Sequence, residues 1–285
     1  MTHLDTLCVE LTARCPLRCT HCSVGAGPER REMLGLTAFT DFVTQVGPLS
    51  EIYLSGGEPF EHPDLLNFIS VARRSASRVV AYSSGTCSHN EALVPLSCEQ
   101  IAAAACAGLG RIDVSLYGTS AEQHDRITQT RGSFVVTLET MRRLRMLGVA
   151  FGVHYVPLAE RGDGVLSVLG LAHALGASRF HVLALSLQGR ARSIVESSPS
   201  DDFYDNIRQL WSSGPSGLKI VLSSRTRRDA GITERTQRDA SRAAMLDSSG
   251  FLYPGEGQRH PSSRSRRSLT SGARVDEILS ELGAG

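Results

Sequence analysis

Short runs of β-branched and other apolar residues alternate along most of the chain with longer stretches whose apolar positions recur every three or four residues. The short runs suit β-strands and the longer recurrence suits amphipathic helices, and their alternation is the pattern of a parallel α/β fold. Strands are predicted over residues 6–11, 51–54, 78–82, 111–116, 149–156 and 179–185, with helices over 37–46, 63–75, 98–109, 134–147 and 165–175 between them. Thr37 is placed to cap the first helix, and Ser97 with Gln100 spells a capping box at the third. Six strand–helix units in series predict an α/β fold, either a doubly wound sheet or a barrel, complete or partial. Both gather their chemistry at the C-terminal ends of the strands.

Beyond Arg190 the texture changes. Residues 197–200 read as a polar linker and 201–211 as a helix. Over 245–254, Asp247-Ser248-Ser249-Gly250 stands between two short apolar arms, as a hairpin needs. The chain therefore divides into a core, 1–196, and a small C-terminal extension, 197–285.

Composition narrows the class. At 285 residues, 41% apolar and 21% charged, the chain is neither disordered nor fibrous, and no window approaches the roughly 18–20 apolar residues of a membrane span. A formal charge of +1 provides no global attraction to nucleic acid or to a membrane. The first ten residues lack the pattern of a secretory signal, so a soluble cytoplasmic protein is expected. Seven cysteines, none beyond Cys106, suit thiolates kept for a metal better than a disulfide framework.

The chemistry concentrates after the first predicted strand, in Arg14-Cys15-Pro16-Leu17-Arg18-Cys19-Thr20-His21-Cys22. Cysteines spaced four and three apart in a turn-rich loop can wrap three thiolates around one corner of an iron–sulfur cluster. One iron of a four-iron cluster then stays open to a small molecule. A structural zinc site is the alternative, but it needs a fourth ligand, and none follows at zinc-finger spacing. His21 abuts Cys22 and is badly placed to turn toward the same metal. Three unrelated core cysteines are the other alternative. One strand later comes Ser55-Gly56-Gly57-Glu58-Pro59. Its glycines let backbone approach a ligand closely, and Glu58 offers an acceptor for an ammonium group.

Together these two segments resemble the radical S-adenosylmethionine (SAM) superfamily, and the resemblance extends over roughly residues 4–192. The turn Val79 to Gly85 stands where the SPASM/twitch-type subgroup has Thr-Asn-Gly. Asp113-Val114-Ser115-Leu116-Tyr117-Gly118 is similar to its Ser-Leu-Asp-Gly, and Gly189-Arg190-Ala191 matches its Gly-Arg-Ala. The resemblance implies a partial (β/α)6 TIM-like barrel with one [4Fe–4S] cluster on Cys15, Cys19 and Cys22. It implies SAM chelated at the open iron, Gly56, Gly57 and Glu58 along its methionine moiety, and Ser84 and Ser115 as further cofactor contacts. Reductive cleavage then yields a 5′-deoxyadenosyl radical that removes a hydrogen atom from an unreactive carbon.

Several features depart from that pattern. Residues 243–255 keep the hairpin look of the subgroup's extension but have no cysteine where auxiliary-cluster ligands would stand. A remnant covering the barrel mouth without metal is expected. Cys98 and Cys106 sit about 12 Å apart along one predicted helix, too far to share a cluster. These two, and Cys8 inside the first strand, read as small buried apolar residues. Cys87 follows the third-strand turn and is expected at the active-site rim, either as a hydrogen-atom donor to a substrate radical or as a cysteine packed in a loop. Glu10, Tyr117, His154, Tyr155 and Arg190 are further cavity candidates. The arginines at 225, 227, 228, 235, 238, 242, 264, 266 and 267 form a solvated face, or a dock for an acidic flavodoxin or ferredoxin-type electron donor.

Only fourteen residues precede Cys15, which leaves no room for a leader-peptide-binding domain. The expected substrate is therefore a small molecule: a sugar, nucleoside or amino-acid-derived natural-product intermediate. Epimerisation, dehydrogenation or lyase-type elimination would follow, with Cys87 favouring the first. The alternatives are the same chemistry on a ribosomally made peptide, and a non-catalytic zinc-binding module.

Overall fold

Every second residue of the first strand, β1 (Thr6–Thr12), is a fully buried aliphatic: Leu7, Val9 and Leu11. The strands that follow are β2 (Leu49–Gly56), β3 (Ala76–Ser83), β4 (Thr86–His89), β5 (Ala92–Pro95), β6 (Arg111–Ser115), β7 (Phe151–Tyr155), β8 (Arg179–Val182), β9 (Lys219–Leu222), β10 (Ala243–Leu246) and β11 (Leu252–Pro254). The helices are α1 (Leu36–Val46), α2 (Leu65–Ser75), α3 (Cys98–Cys106), α4 (Ala121–Thr128), α5 (Ser133–Met146), α6 (Gly164–Leu175), α7 (Asp201–Ser213) and α8 (Ser224–Asp229). This computed structural model describes residues 4–158, 164–194, 199–233 and 242–255, with 265, 268, 269 and 277.

Nine strands form one sheet in the order β11-β10-β1-β2-β3-β6-β7-β8-β9, parallel throughout except for β11. The sheet curls without closing, so the fold is α/β, a partial TIM-like barrel. Its outward residues pack under the helices: Leu7, Ile52, Val79, Ile112, Val153 and Phe180 join Phe39 and Phe68 in one core. Each such side chain contributes roughly 1.5–3 kcal/mol by leaving water.

The inward face is of another kind. Thr6, Cys8 and Glu10 alternate with the β1 aliphatics, Arg111 and Ser115 with Ile112 and Val114, and Arg179 and His181 with Phe180. The strands are apolar toward the helices only, and the barrel interior is polar. That interior is a cavity, and it positions everything below.

The capping box at Ser97 and Gln100 is present. Thr37 does not cap α1, whose N-cap is Gly35. The hairpin β4–β5, helix α4 and strand β9 were not predicted. The hairpin turns through Asn90 and Glu91, both at positive φ (47° and 64°), without the Asn-Gly signature that announces such a turn. The C-terminal hairpin exists as β10–β11, but it does not lie over the barrel mouth as a cover. Its β10 pairs with β1 through Thr6↔Ala243 to Val9↔Leu246, satisfying the backbone edge that β1 would otherwise leave bare. The boundary at 196 thus divides the chain but not the sheet. Arg235, Arg238, Arg264, Arg266 and Arg267 lie outside the described residues. Among the described residues, no helix is long and apolar enough to cross a membrane.

Candidate active site

Past Glu10 the register of β1 against β2 shifts, and the chain leaves the sheet as a loop held by its own backbone and by the elements around it. Cys15 N–H donates to the Gly27 carbonyl (3.2 Å), and Cys22 N–H to that of Cys19 (3.2 Å). The turn at Gly189–Ser193, after β8, supplies a clamp. Arg190 N–H reaches the Cys22 carbonyl at 3.0 Å, and the Arg190 guanidinium Nε reaches the Cys19 carbonyl at 2.9 Å. Gly189, at φ 55°, makes that approach feasible, because a Cβ there would press on the carbonyls of Cys22 and Ser23. The Gly-Arg-Ala segment therefore holds the cysteine loop from across the barrel.

The glycines after β2 serve the same loop. Gly57 N–H donates to Thr12 O (2.6 Å) and Glu58 N–H to Arg14 O (2.9 Å). A Cβ on Gly56 would overlap Thr12 O, and one on Gly57 would overlap Arg14 O. What the glycines admit closely is the backbone of the cysteine loop, although both also line the cavity.

Glu58 is a correction. Its carboxylate is not on the cavity wall; it is fully buried and accepts from Ser83 Oγ (2.8 Å), Ser84 N–H (2.7 Å), Ser84 Oγ (2.6 Å) and Phe60 N–H (3.3 Å). Burial raises its pKa to about 7, against the pull of the Ser84 and Ser83 hydrogen bonds. Its work is to tie the β2 turn to the β3 turn. Glutamine at this position is isosteric, yet wherever its amide nitrogen points it meets a backbone N–H, of Phe60 or of Ser84. Glu58→Gln is expected to cost about 1–3 kcal/mol in a denaturant melt, the loss for a buried donor left unmet.

Cys15, Cys19, Cys22, Gly56, Gly57, Ser84 and Ser115 share one cavity of about 1570 Å³. Burial raises the Cys15 thiol well above its usual range, with Cys19 adding to it; burial and then Cys22 push Cys19 up to about 12. Crowded, desolvated sulfurs such as those of Cys15 and Cys19 hold charge together only beside a positive centre, and thiolate donors select a soft one. The donor set therefore fits an iron–sulfur cluster. Tyr117 stands beside it, its ring edge-on to His21 (4.5 Å) and stacked on His124 (5.5 Å). Burial holds both imidazoles at about 4, hence neutral. His21 Nδ1, buried, has no hydrogen-bond partner. Glu10, His154 and Arg190 line the cavity as expected, whereas Tyr155 faces the core.

The other cysteines fall elsewhere. Cys87 is 4% exposed in the apolar core, with Gln100 Nε2 at 4.0 Å, and burial raises its thiol far above the usual range. It does not line the cavity, because the unpredicted hairpin carries it behind the β3 turn. Cys106 is exposed, while Cys8 and Cys98 are half-buried, and Cys8 faces the cavity. The sequence reading missed His181, which lines the cavity beside His154. Its signal was the polar residue at every second position of β8.

An open parallel barrel with a three-thiol loop after its first strand and a glycine turn after its second is the layout of barrel enzymes built around a metal–sulfur cluster. The chain belongs to the radical SAM superfamily, whose domain it matches over residues 9–163. The AdoMet-dependent heme synthase of Methanosarcina barkeri is 33% identical over 221 residues, 75% of this chain and 60% of that protein. The PqqA peptide cyclase of Gluconobacter oxydans is 30% identical over 181 residues, 62% of this chain and 48% of that protein. Streptococcus suis SuiB bound to its precursor peptide SuiA shares the fold at TM-score 0.74 and 12% identity, over 100% of this chain and 67% of that one. The chain spans about half to three fifths of the length of these curated relatives. The family implies a [4Fe–4S] cluster and SAM. The small-molecule substrate expected from the sequence is corrected: PqqA peptide cyclase carries a peptide in its name, and SuiB is bound to a precursor peptide, SuiA.

Proposed function

We propose that the chain binds one [4Fe–4S] cluster through Cys15, Cys19 and Cys22, binds SAM beside it, and takes a hydrogen atom from a ribosomally made peptide. The observation that carries the reading is the convergence of three thiols, the Gly56–Gly57 backbone, Ser84 and Ser115 on one cavity. Bound together, the two cofactors supply a 5′-deoxyadenosyl radical by reductive cleavage of the sulfur–carbon bond. The chain supplies position. Arg190 and Gly57 fix the loop backbone so that the three sulfurs face inward. Ser115 on β6 offers its hydroxyl to the cofactor, and Ser84 in the β3 turn lines the cavity while its own hydroxyl is held by Glu58. Tyr117 and the neutral His21 and His124 keep water from the sulfurs.

A peptide suits the dimensions. The cavity, at about 1570 Å³, exceeds the roughly 300–1,000 Å³ of sites that hold one drug-sized ligand. The burial of Cys87 removes the ground for epimerisation, and the cyclase relatives favour formation of a bond within the peptide. Free thiols suit a reducing, cytoplasmic setting.

The test is anaerobic reconstitution with iron and sulfide, then dithionite, SAM and the short peptides encoded beside the gene. The expected result is 5′-deoxyadenosine together with a peptide lighter by two hydrogens. 5′-Deoxyadenosine with every peptide unchanged would overturn the peptide reading alone, and its absence would overturn the enzymatic one.

A further inference from the structure

A second constellation lies in the barrel interior, away from the cysteine loop. His154 on β7 and His181 on β8 stand side by side in register, and Asp113 on β6 lies one row below, paired with Gly152. The Asp113 carboxylate reaches across toward β8 through the space that Gly152 leaves, since a Cβ on Gly152 would overlap Asp113 Oδ1. Asp113 Oδ2 is thereby brought to 3.6 Å from His154 Nε2 and 3.6 Å from His181 Nε2. The three ligand atoms all lie within 4.8 Å of one another, and all three residues are buried. The two imidazoles meet edge to face at 4.7 Å, and Tyr82 packs on His154 at 4.3 Å, so the rings are fixed.

These separations are too long for N–H···O hydrogen bonds, which end near 3.2 Å. His154 Nε2 is buried, aimed at the carboxylate, and without a hydrogen-bond partner, an arrangement that costs stability unless something fills it. Tetrahedral metal bonds of 2.0–2.1 Å put ligand atoms about 3.3 Å apart, close to the two 3.6 Å separations from Asp113. We propose that Asp113, His154 and His181 form a binding site for a divalent transition-metal ion of the zinc class, separate from the cysteine loop.

Arg111 completes it. Its Nε donates to Oδ1 at 2.7 Å and its Nη2 to Oδ2 at 3.0 Å, fixing the carboxylate plane as the outer partners of ligating carboxylates do. The guanidinium also offsets the carboxylate charge. The ion then meets two imidazole nitrogens and one oxygen lone pair, a set that favours zinc over magnesium or calcium. Three protein ligands leave a fourth position, on the side where both histidines line the cavity, for water or a substrate oxygen.

The site stands whether or not the cysteine loop holds a cluster, and its test is built the same way. The full chain carrying Cys15→Ala, Cys19→Ala and Cys22→Ala is titrated anaerobically with Co²⁺, then with Zn²⁺. About one Co²⁺ per chain, with the visible bands of a low-coordinate ion displaced by Zn²⁺, is expected, falling below about a tenth in His154→Gln or His181→Gln. X-ray absorption on the zinc-loaded triple variant needs no histidine substitution, and it should show nitrogen and oxygen neighbours with imidazole scattering and no sulfur. Absence of Co²⁺ bands at micromolar metal, sulfur neighbours around zinc, or binding unchanged in both histidine variants would each overturn the site.

Discussion

Serine in place of any one of Cys15, Cys19 or Cys22 is expected to abolish the brown chromophore of the reconstituted protein and, with it, formation of 5′-deoxyadenosine. The three thiols share one cavity, and burial with crowding by the neighbouring sulfurs raises the thiols of Cys15 and Cys19. No other cysteine lines that cavity except Cys8, which is on β1 itself, before the loop begins. A hydroxyl is a harder, poorer donor for iron and sulfide, and two thiolates do not hold a cube that three just suffice to hold. Turnover should fall by at least about 10³-fold, because the rate enhancement resides in the cofactor pair. Cys87→Ser is the informative contrast. It sits in the core behind the β3 turn, so it should keep both chromophore and turnover while losing some stability through its buried hydroxyl. Iron content, absorbance and 5′-deoxyadenosine measured on the same preparations check both halves. A serine variant at 15, 19 or 22 with a full cluster would remove that residue from the ligand set.

The strands were legible because their outward halves are aliphatic, and Leu7, Ile52, Val79, Ile112, Val153 and Phe180 announce a core whatever their neighbours do. The inward halves carry a weaker signal: Arg111, Asp113, His154, Arg179 and His181 alternate with those aliphatics and mark a polar interior. Alanine misled in α3. Only Ile101 and Ala104 of that helix are buried, so Cys106 in its alanine run is exposed. Alanine fits either face of a helix and defines neither. The cysteine spacing and the Gly-Gly-Glu-Pro turn were legible as a pair because both follow adjacent strands. Their division of labour was not, since only packing shows that Glu58 turns inward and that the glycines meet Thr12 and Arg14.

That division of labour predicts the second large effect, at a residue that carries no side chain. Gly57 is not at positive φ, so alanine there is unstrained in its own backbone; the obstacle is the Arg14 carbonyl, which a Cβ would overlap, with Ala13 C only 3.0 Å away. Backbone cannot rotate aside as the tip of a side chain can. The turn or the loop must move, and either motion lengthens the bonds from Gly57 to Thr12 (2.6 Å) and from Glu58 to Arg14 (2.9 Å). Gly57→Ala should therefore cost about 3 kcal/mol in a denaturant melt, the upper end for overpacking, and lower iron incorporation along with it. Gly170→Ala is the control: Gly170 lies inside α6 with nothing within 4 Å of an added Cβ, so iron loading should hold and stability should hold or rise slightly. Equal iron in the Gly57 variant and the parent, with equal melts, would mean that the β2 turn does not hold the cysteine loop. The fold would then owe the placement of its sulfurs to Arg190 and to the end of α4, whose Ile127 and Thr128 carbonyls accept from Thr20 and Arg18 N–H; Arg190→Ala would expose the first share as a loss of iron.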